Sequence, residues 1–247
     1  MQTVVCMKWG TRYPSDYVNR LWSMISRNTK RETRLICFTD DSAGVSPQVI
    51  CRPLPEINIP ARVASTPWRK LSLWQMGLSD GQQDFSGDLL FLDLDMVITG
   101  SLDDLFEYEP GRYCVIHNWT QPSLQVGNTS LFRFRVGRHC HIFDRFNNDP
   151  ESVLAQYRIE QQYISGEVAD QVFWPAEWCV SFKHNLLPRW PLNFFRVPPL
   201  PEEVRTVAFT GKPDPDEAAI GVWPVEAPWK RLYKHVRPTP WIAEHWR

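Results

Sequence analysis

Short apolar runs alternate with amphipathic stretches through the first half of the chain. Apolar runs at 3–7, 35–39 and 49–51 predict three strands. Between the first two runs, Pro14 and Ser15 precede residues at helical spacing, namely Tyr17, Val18, Leu21, Trp22 and Ile25, and this pattern predicts a helix. A strand–helix–strand order is typical of α/β proteins with a mostly parallel, Rossmann-like sheet flanked by helices.

The run at 89–97, Leu-Leu-Phe-Leu-Asp-Leu-Asp-Met-Val, predicts a central strand buried on both faces. Side chains alternate along a strand, so Asp93 and Asp95 would project to the same side. Two such carboxylates repel each other unless a cation lies between them. Oxygen ligands favour Mg²⁺ or Mn²⁺, and open α/β sheets bind ligands at the carboxyl ends of their strands. The pair therefore indicates a metal site, with a solvated strand end as the alternative.

The remaining pattern predicts further elements on both sides of this strand. A helix is expected at 67–76, with Leu71, Trp74 and Leu78 facing inward. The other expected elements are strands at 113–117 and 129–134 with a turn at 127–128, helices at about 137–147, 150–158 and 167–174, an irregular proline-rich and aromatic-rich stretch at 188–201, and a last strand at 207–209.

Composition narrows the class of protein. The chain has 247 residues, 43% of them hydrophobic, and a formal net charge of −1, which suits one globular α/β domain and argues against a general nucleic-acid binder. Its six cysteines form no Cys-x-x-Cys pair, so buried reduced thiols in a cytoplasmic protein are expected. No signal peptide and no run of about 20 apolar residues is seen, which predicts a soluble or peripheral protein.

The segment 223–247 mixes aromatic and basic residues. Its aromatic and basic members are Trp223, Trp229, Tyr233, Trp241, Trp246, Lys230, Arg231, Lys234, Arg237 and Arg247. Such a mixture suits peripheral contact with a membrane, here the inner membrane face, or with an acidic glycolipid acceptor. The alternative is a tail that packs its tryptophans on the domain.

The order of these parts resembles the GT-A nucleotide-sugar glycosyltransferases, and most of all the retaining family that includes glycogenin and bacterial lipopolysaccharide galactosyltransferases. The matching features span about 3–215. They are the first strand and its loop, Lys70 ahead of the acidic pair, Phe-Leu-Asp-Leu-Asp at 91–95 with Gly-Ser-Leu-Asp-Asp-Leu-Phe at 100–106, Ala-Asp-Gln at 169–171, and Phe-Thr-Gly-Lys-Pro at 209–213. The resemblance implies one GT-A domain, with a nucleotide-sugar half at 1–135, an acceptor half at 136–222 and the C-terminal segment 223–247.

The resemblance implies a metal-dependent glycosyltransferase that moves a sugar, with retention, from a nucleotide-sugar donor such as a UDP-sugar to a carbohydrate or glycolipid hydroxyl. Mn²⁺ or Mg²⁺ held by Asp93 and Asp95 would stabilise the diphosphate leaving group. Lys212, next to Gly211, and one of Arg69 or Lys70 would add positive charge. The family pattern favours Lys70, and a solvated helix lysine is the alternative.

The resemblance also suggests residues for the nucleotide, the sugar and catalysis. Trp9, Tyr13 and Asp40 would contact the base or ribose, although the two rings suit ordinary loop packing equally well. Asn128 would contact the sugar, with a plain turn as the alternative. By resemblance, Asp170 and Gln171 would lie beneath the anomeric carbon as catalytic residues.

One departure from the family pattern affects the metal site. The family usually has a histidine beside Gly-Lys-Pro as a third metal ligand, whereas this chain has Ala208, Phe209 and Thr210 there. Two alternatives to a transferase follow. One is a phosphatase of the haloacid-dehalogenase type, with Asp93 as nucleophile and Asp95 as general acid. The other is a catalytically silent protein that binds sugar nucleotides.

Overall fold

The protein folds into two compact units. The computed structural model describes residues 1–79 and 84–247. The first unit comprises Met1–Asn19, Arg31–Leu94 and Asp104–Trp174, and the second comprises Arg20–Lys30, Asp95–Asp103 and Pro175–Arg247.

The described residues form ten strands, and seven of them make the sheet of the first unit. In chain order the strands are β1 (Gln2–Lys8), β2 (Thr33–Thr39), β3 (Ile50–Arg52), β4 (Asp88–Leu92), β5 (Met96–Ile98), β6 (Cys114–His117), β7 (Gly127–Arg135), β8 (Val172–Phe173), β9 (Cys179–Ser181) and β10 (Thr206–Ala208). The seven-stranded sheet has the order β3-β2-β1-β4-β7-β6-β8. Neighbours pair in parallel except that β7 runs antiparallel to β4 and β6. The expected mostly parallel sheet is confirmed.

Helices connect these strands. The α-helices are α1 (Ser15–Arg27), α2 (Asp103–Glu107), α3 (His141–Asn148), α4 (Pro150–Gln156), α5 (Glu160–Glu167), α6 (Pro215–Ala219) and α7 (Pro240–His245). Tighter 3₁₀ turns occupy Ala61–Val63, Pro67–Trp74, Leu192–Phe194 and Pro228–Leu232, and a π-helical turn spans Phe182–Leu186. No helix in the described part of the chain combines the length and apolar character needed to cross a bilayer.

The local predictions for the first hundred residues are largely confirmed. Strands β1 to β3 and helix α1 lie where the apolar pattern places them. The segment Pro67–Trp74 is helical but winds as a 3₁₀ helix, and Leu71, Trp74 and Leu78 are buried as expected. Trp74 stacks on Phe132 with ring centroids 5.8 Å apart, so this segment closes one face of the sheet.

Three predicted elements are wrong. The run 89–97 is not one strand, because β4 ends at Leu92, residues 93–95 turn, and β5 joins a different sheet. Strand alternation therefore does not set the directions of Asp93 and Asp95. The expected turn at 127–128 is the start of β7, and the expected helix at 167–174 is replaced by the end of α5, a turn and β8.

Strand β7 contains a bulge beside the end of β4. Phe132 pairs with Val115, but Asn128 pairs with the next residue of β6, Ile116, so the stretch 129–131 has no partner on β6. On its other side β7 stays in register with β4 up to Leu131. The bulge leaves the peptide groups of 129–131 free of the β6 ladder and available to other partners.

The second unit is built on a small sheet. β10 lies between β5, which is antiparallel to it, and β9, which is parallel. The guanidinium of Arg20 lies 4.3 Å from the Trp246 ring centroid and donates to the Trp246 carbonyl at 2.9 Å. The six cysteines are free thiols; four are buried as expected, whereas Cys51 and Cys140 are half-buried.

Candidate active site

The parallel strands of the first unit end at one edge of the sheet, which we call the carboxyl edge. β1, β2 and β4 run in the same direction, so the loops after Lys8, Thr39 and Leu92 emerge at this edge. The loop after β1 is tied to the loop after β2, because the Gly10 amide donates to the Asp40 carboxylate at 2.9 Å. The fold therefore brings Asp40 and Asp93 to the edge where ligands bind in open α/β sheets.

The two predicted aromatic residues of the first loop already have protein contacts. The half-buried Trp9 packs on the core and donates its indole N–H to the Ser65 carbonyl at 3.3 Å. The centroids of the Tyr13 and Tyr17 rings lie 4.8 Å apart, and the Arg12 guanidinium lies 4.9 Å from the centroid of the Tyr13 ring. These contacts fix both rings at the carboxyl edge, and a role in nucleotide binding stays a prediction.

Lys70 is a buried cation at this edge. Its side chain is only 4% exposed, and its ammonium lies 2.7 and 2.8 Å from the two Asp93 carboxylate oxygens. A third bond goes to the Thr129 carbonyl in the bulge of β7, at 3.0 Å. Arg69 instead turns away and donates to the Ala64 carbonyl. The structure thus distinguishes the two basic residues, and the interpretation of Lys70 as a solvated helix lysine is wrong.

The bulge also holds the backbone of the acidic motif. The Asp93 amide donates to the Ser130 carbonyl at 2.8 Å, which extends the pairing of β4 and β7 by one residue. Asn128 is buried at the start of β7, and its side-chain oxygen accepts from the Ser130 amide at 3.0 Å. Asn128 therefore supports the bulge from within a strand, which corrects both the expected turn and the plain-turn alternative.

Glu160 joins this cluster, and the sequence analysis missed it. It is the first residue of α5, is only 3% exposed, and accepts from the Thr129 hydroxyl at 2.7 Å. Burial raises the pKa of Glu160 and the Asp93 carboxylate adds to the rise, whereas the Lys70 ammonium and the Thr129 hydroxyl oppose it. A carboxyl group whose pKa is raised inside a cleft is a frequent mark of a functional site.

Gln161, next along α5, is held by a neighbouring loop. The Asn118 side-chain amide donates to the side-chain oxygen of Gln161 at 2.8 Å, and Asn118 follows β6, whose carboxyl end also lies at the carboxyl edge. A sequence signal existed for Glu160, because it shares a helix face with the buried Tyr163 and Ile164, at i+3 and i+4. A charged residue on such a buried face needs a partner.

Asp170 and Gln171 occupy a different place. They precede β8, which is parallel to β6, so they lie at its amino end, away from the edge that carries Asp93. Asp170 lies 2.8 Å from Arg138 and 3.7 Å from Arg112, and Gln171 donates to the Gln125 carbonyl at 2.6 Å. The structure therefore does not bring this pair together with the Lys70–Asp93–Glu160 cluster.

The second half of the acidic motif belongs to the second unit. Asp95 lies in the turn before β5 and is 9% exposed. Within residues 1–79 and 84–247, no group of three or more His, Cys, Asp and Glu side chains is arranged to hold a metal. Two carboxylates suit Mg²⁺ or Mn²⁺ where substrate phosphates supply further ligands. Metal binding by Asp93 and Asp95, which belong to different units, stays a prediction.

The predicted phosphate ligand Lys212 also lies in the second unit. Its ammonium is 2.7 Å from Asp214 and 2.5 Å from Glu217, so two carboxylates hold it. Gly211 has φ +70°, a conformation that side chains rarely adopt. Where the family has its histidine, the Thr210 carbonyl accepts from the Lys183 ammonium at 2.7 Å.

Comparison with solved structures places this fold among glycosyltransferases. The galactosyltransferase LgtC in complex with donor and acceptor sugar analogs matches with a TM-score of 0.59 and 14% identity over 87% of this chain and 89% of that one. Mouse xyloside xylosyltransferase 1 matches with a TM-score of 0.51 and 12% identity over 83% and 96% of the two chains. The glycosyltransferase GlyE from Streptococcus pneumoniae TIGR4 matches with a TM-score of 0.58 and 12% identity over 87% of this chain and 56% of that chain.

These likenesses define the fold of the chain as GT-A, which confirms the expectation from the sequence. They do not support the phosphatase alternative. No protein-family model matches the chain, and no curated protein matches it in sequence.

Proposed function

We propose that this protein is a glycosyltransferase that moves a sugar from a nucleotide-sugar donor to a hydroxyl of a carbohydrate or glycolipid. The observation that carries the proposal is the Lys70–Asp93–Glu160 cluster at the carboxyl edge of a GT-A sheet, in which Lys70 and Glu160 are buried and Asp93 is partly exposed. Such a cluster costs folding free energy in an apolar setting, and it is typical of sites that handle charged substrates.

Breaking the bond between sugar and nucleotide leaves negative charge on the diphosphate. We propose that Asp93 and Asp95 hold Mn²⁺ or Mg²⁺, which when bound supplies Lewis-acid stabilisation of that charge. Lys70 fixes the rotamer of Asp93, because it contacts both carboxylate oxygens. Lys212 adds positive charge for a phosphate when it exchanges its carboxylate partners for the ligand.

Two pairs of residues are proposed to contact the donor sugar. Asp170 and Gln171 are the catalytic residues expected from the resemblance. Glu160 and Gln161 are a second acid–glutamine pair, and their contacts with Thr129 and Asn118 favour them as the pair that faces the donor sugar. A UDP-sugar donor and transfer with retention rest on the family resemblance alone.

A peripheral membrane contact through 223–247 is also proposed, made by only part of this segment. Trp229 and Leu232 are 61% and 75% exposed, beside the basic residues of the same 3₁₀ turn. Trp246 is 4% exposed and packs under Arg20, so the end of the chain follows the alternative of packing on the domain. Exposed apolar and basic residues together favour the membrane interface.

The test is turnover of nucleotide sugars. The protein is incubated with Mn²⁺ and a panel of UDP- and GDP-sugars, and released nucleotide is measured alongside a generic phosphatase substrate. Slow donor hydrolysis supports the transferase. Tight UDP binding without turnover supports the silent binder, and phosphate release from the generic substrate contradicts the proposal.

Matched variants localise the activity. Asp95→Asn should abolish turnover with the same far-UV circular dichroism as the parent, because the amide keeps the shape but loses the charge that binds a cation. Asp144→Asn, an exposed change on α3, is the control and should leave turnover unchanged. An active Asp95→Asn protein would remove the metal argument. Gln161→Leu and Gln171→Leu, compared side by side, decide between the two catalytic assignments.

A further inference from the structure

The second unit contains a cavity of about 400 Å³, within the size range of ligand pockets. Cations and aromatic rings dominate its lining: Lys183, Arg189, Lys234, Trp190, Trp223 and Tyr233. No aspartate or glutamate is among the described residues that line it. The pocket thus combines positive charge with flat apolar surfaces.

The charges of this pocket are not neutralised from its own walls. Lys183 and Lys234 are both half-buried, and burial lowers the pKa of Lys183, which the charge of Lys234 lowers further. The Lys183 ammonium donates to the Thr210 carbonyl, and the Lys234 ammonium lies 5.8 Å from the Trp223 ring centroid. An anion bound beside Lys183 and Lys234 would offset the repulsion between these two like charges.

Hydrogen bonds hold together the two chain segments that carry Trp190 and Tyr233. The Asn193 side-chain amide, only 2% exposed, donates to the carbonyls of Tyr233 and His235 at 2.9 Å each. The Trp190 indole donates to the Leu232 carbonyl at 3.1 Å. These bonds join two segments about 40 residues apart in the chain. A pre-organised pocket loses less conformational entropy on binding.

We propose that this pocket binds an anionic sugar of the acceptor, meaning a sugar that carries a carboxylate or a phosphate. The cations would pair with the anionic group, and the aromatic rings would pack on the apolar C–H face of the sugar ring. The Trp223 indole N–H is buried and is bonded to none of the described residues. The assignment of this sugar to the acceptor rests on the proposed transferase function, whereas the preference for an anion rests on the pocket alone.

The test measures binding of small probes by saturation-transfer NMR titration. Methyl glucuronide and glucose 1-phosphate represent the two anionic classes, methyl glucoside is the neutral match, and UDP represents the diphosphate of the donor. Methyl glucuronide or glucose 1-phosphate should bind about tenfold more tightly than methyl glucoside. Equal binding of the neutral glycoside would overturn the proposal.

Variants locate the binding. The double change Arg189→Gln/Lys234→Gln should weaken binding of the anionic probe about tenfold or more. Arg196→Gln, an exposed change outside both the pocket lining and the segment 223–247, is the matched control and should leave binding within about twofold. Equal thermal midpoints show that the variants are folded. Unchanged binding in the double variant would contradict the assignment.

Two further arms separate this proposal from the proposed function. UDP should not share this pocket if the proposal holds. If UDP displaces the anionic probe, and if the double variant weakens UDP binding to the same extent, the pocket binds the donor diphosphate and the acceptor assignment is overturned. Donor hydrolysis without binding of either anionic sugar would refute the pocket alone. Binding of an anionic sugar without donor hydrolysis would support the anion pocket and count against the transferase.

Discussion

Removing the Lys70 ammonium tests whether the cluster at the carboxyl edge is a true buried ion pair. Lys70→Met keeps the length and apolar character of the stem but leaves Asp93 and the Thr129 carbonyl without their shared donor. Breaking a buried pair costs about 3–5 kcal/mol. The Asp93 side chain is 25% exposed, so water recovers part of this, and we expect a loss of about 2–4 kcal/mol in the free energy of unfolding.

A double-mutant cycle isolates the pair. Asp93→Asn alone leaves the Lys70 charge buried, whereas Lys70→Met/Asp93→Asn removes both charges, so the double variant should lose about 1–3 kcal/mol less than the sum of the single changes. Arg69→Met is the matched control on the same 3₁₀ helix, where the side chain bonds only a nearby carbonyl, and about 1 kcal/mol or less is expected.

The assay is urea unfolding at neutral pH followed by circular dichroism, with a chelator present in every sample so that no metal contributes. Midpoints and slopes together give the free energy of unfolding for each variant. A coupling energy below about 0.5 kcal/mol would refute the reasoning, because pairs that do not interact add within that margin.

Two further changes test the buried ionisable groups Glu160 and Arg133 of the first unit. The pKa of Glu160 in the folded chain is raised above its ordinary value of 4.5. Above pH 4.5 the unfolded chain therefore releases a proton that the folded chain keeps, so the free energy of unfolding falls as pH rises. Glu160→Gln cannot ionise, so in urea unfolding at several pH values its free energy of unfolding should rise relative to the parent from pH 4.5 upward, by at most about 1.4 kcal/mol per pH unit. A difference that is flat with pH would contradict this. Arg133→Met should cost about 2–4 kcal/mol in the same assay, because the fully buried guanidinium donates to the carbonyls of residues 105, 106 and 109, while the exposed Arg135→Met should cost about 1 kcal/mol or less. Equal losses for the two arginine changes would show that burial of the first is not the cause.

The local sequence pattern was enough to predict those strands and helices that are specified by residues within the element itself. Strands β1 and β2 are short apolar runs, and α1 has its apolar residues at helical spacing, so each could be predicted without knowledge of the rest. The break after Leu92 could not, because Leu94 and Met96 are buried too and the apolar run continues through the turn. Burial outside a strand looks the same in sequence as burial within one.

The candidate site was predictable only in part, for a similar reason. Asp93 was found from the apolar run that precedes it and Lys70 through the family pattern, but the ion pair between them was not predicted. Glu160 was missed because its partner is Thr129, 31 positions earlier, and the hydroxyl reaches it from a bulge that depends on how β7 pairs with β6. Contacts that depend on strand register carry no signal in a local window.

The bulge in β7 limits how this protein can be shortened. Three residues of β7 face no residue of β6, and three is an odd number. The odd count has already shifted the alternation, because Gly127 pairs with His117 and Phe132 pairs with Val115, so both face the same side of the sheet although five positions separate them. Deleting residues 129–131 to make the ladder regular would therefore keep Gly127 and Asn128 on their present sides. It would remove the Thr129 and Ser130 carbonyls that accept from Lys70 and from the Asp93 amide, so an engineered chimera with a regular β7 would keep the faces of the strand and lose the anchor of the acidic motif.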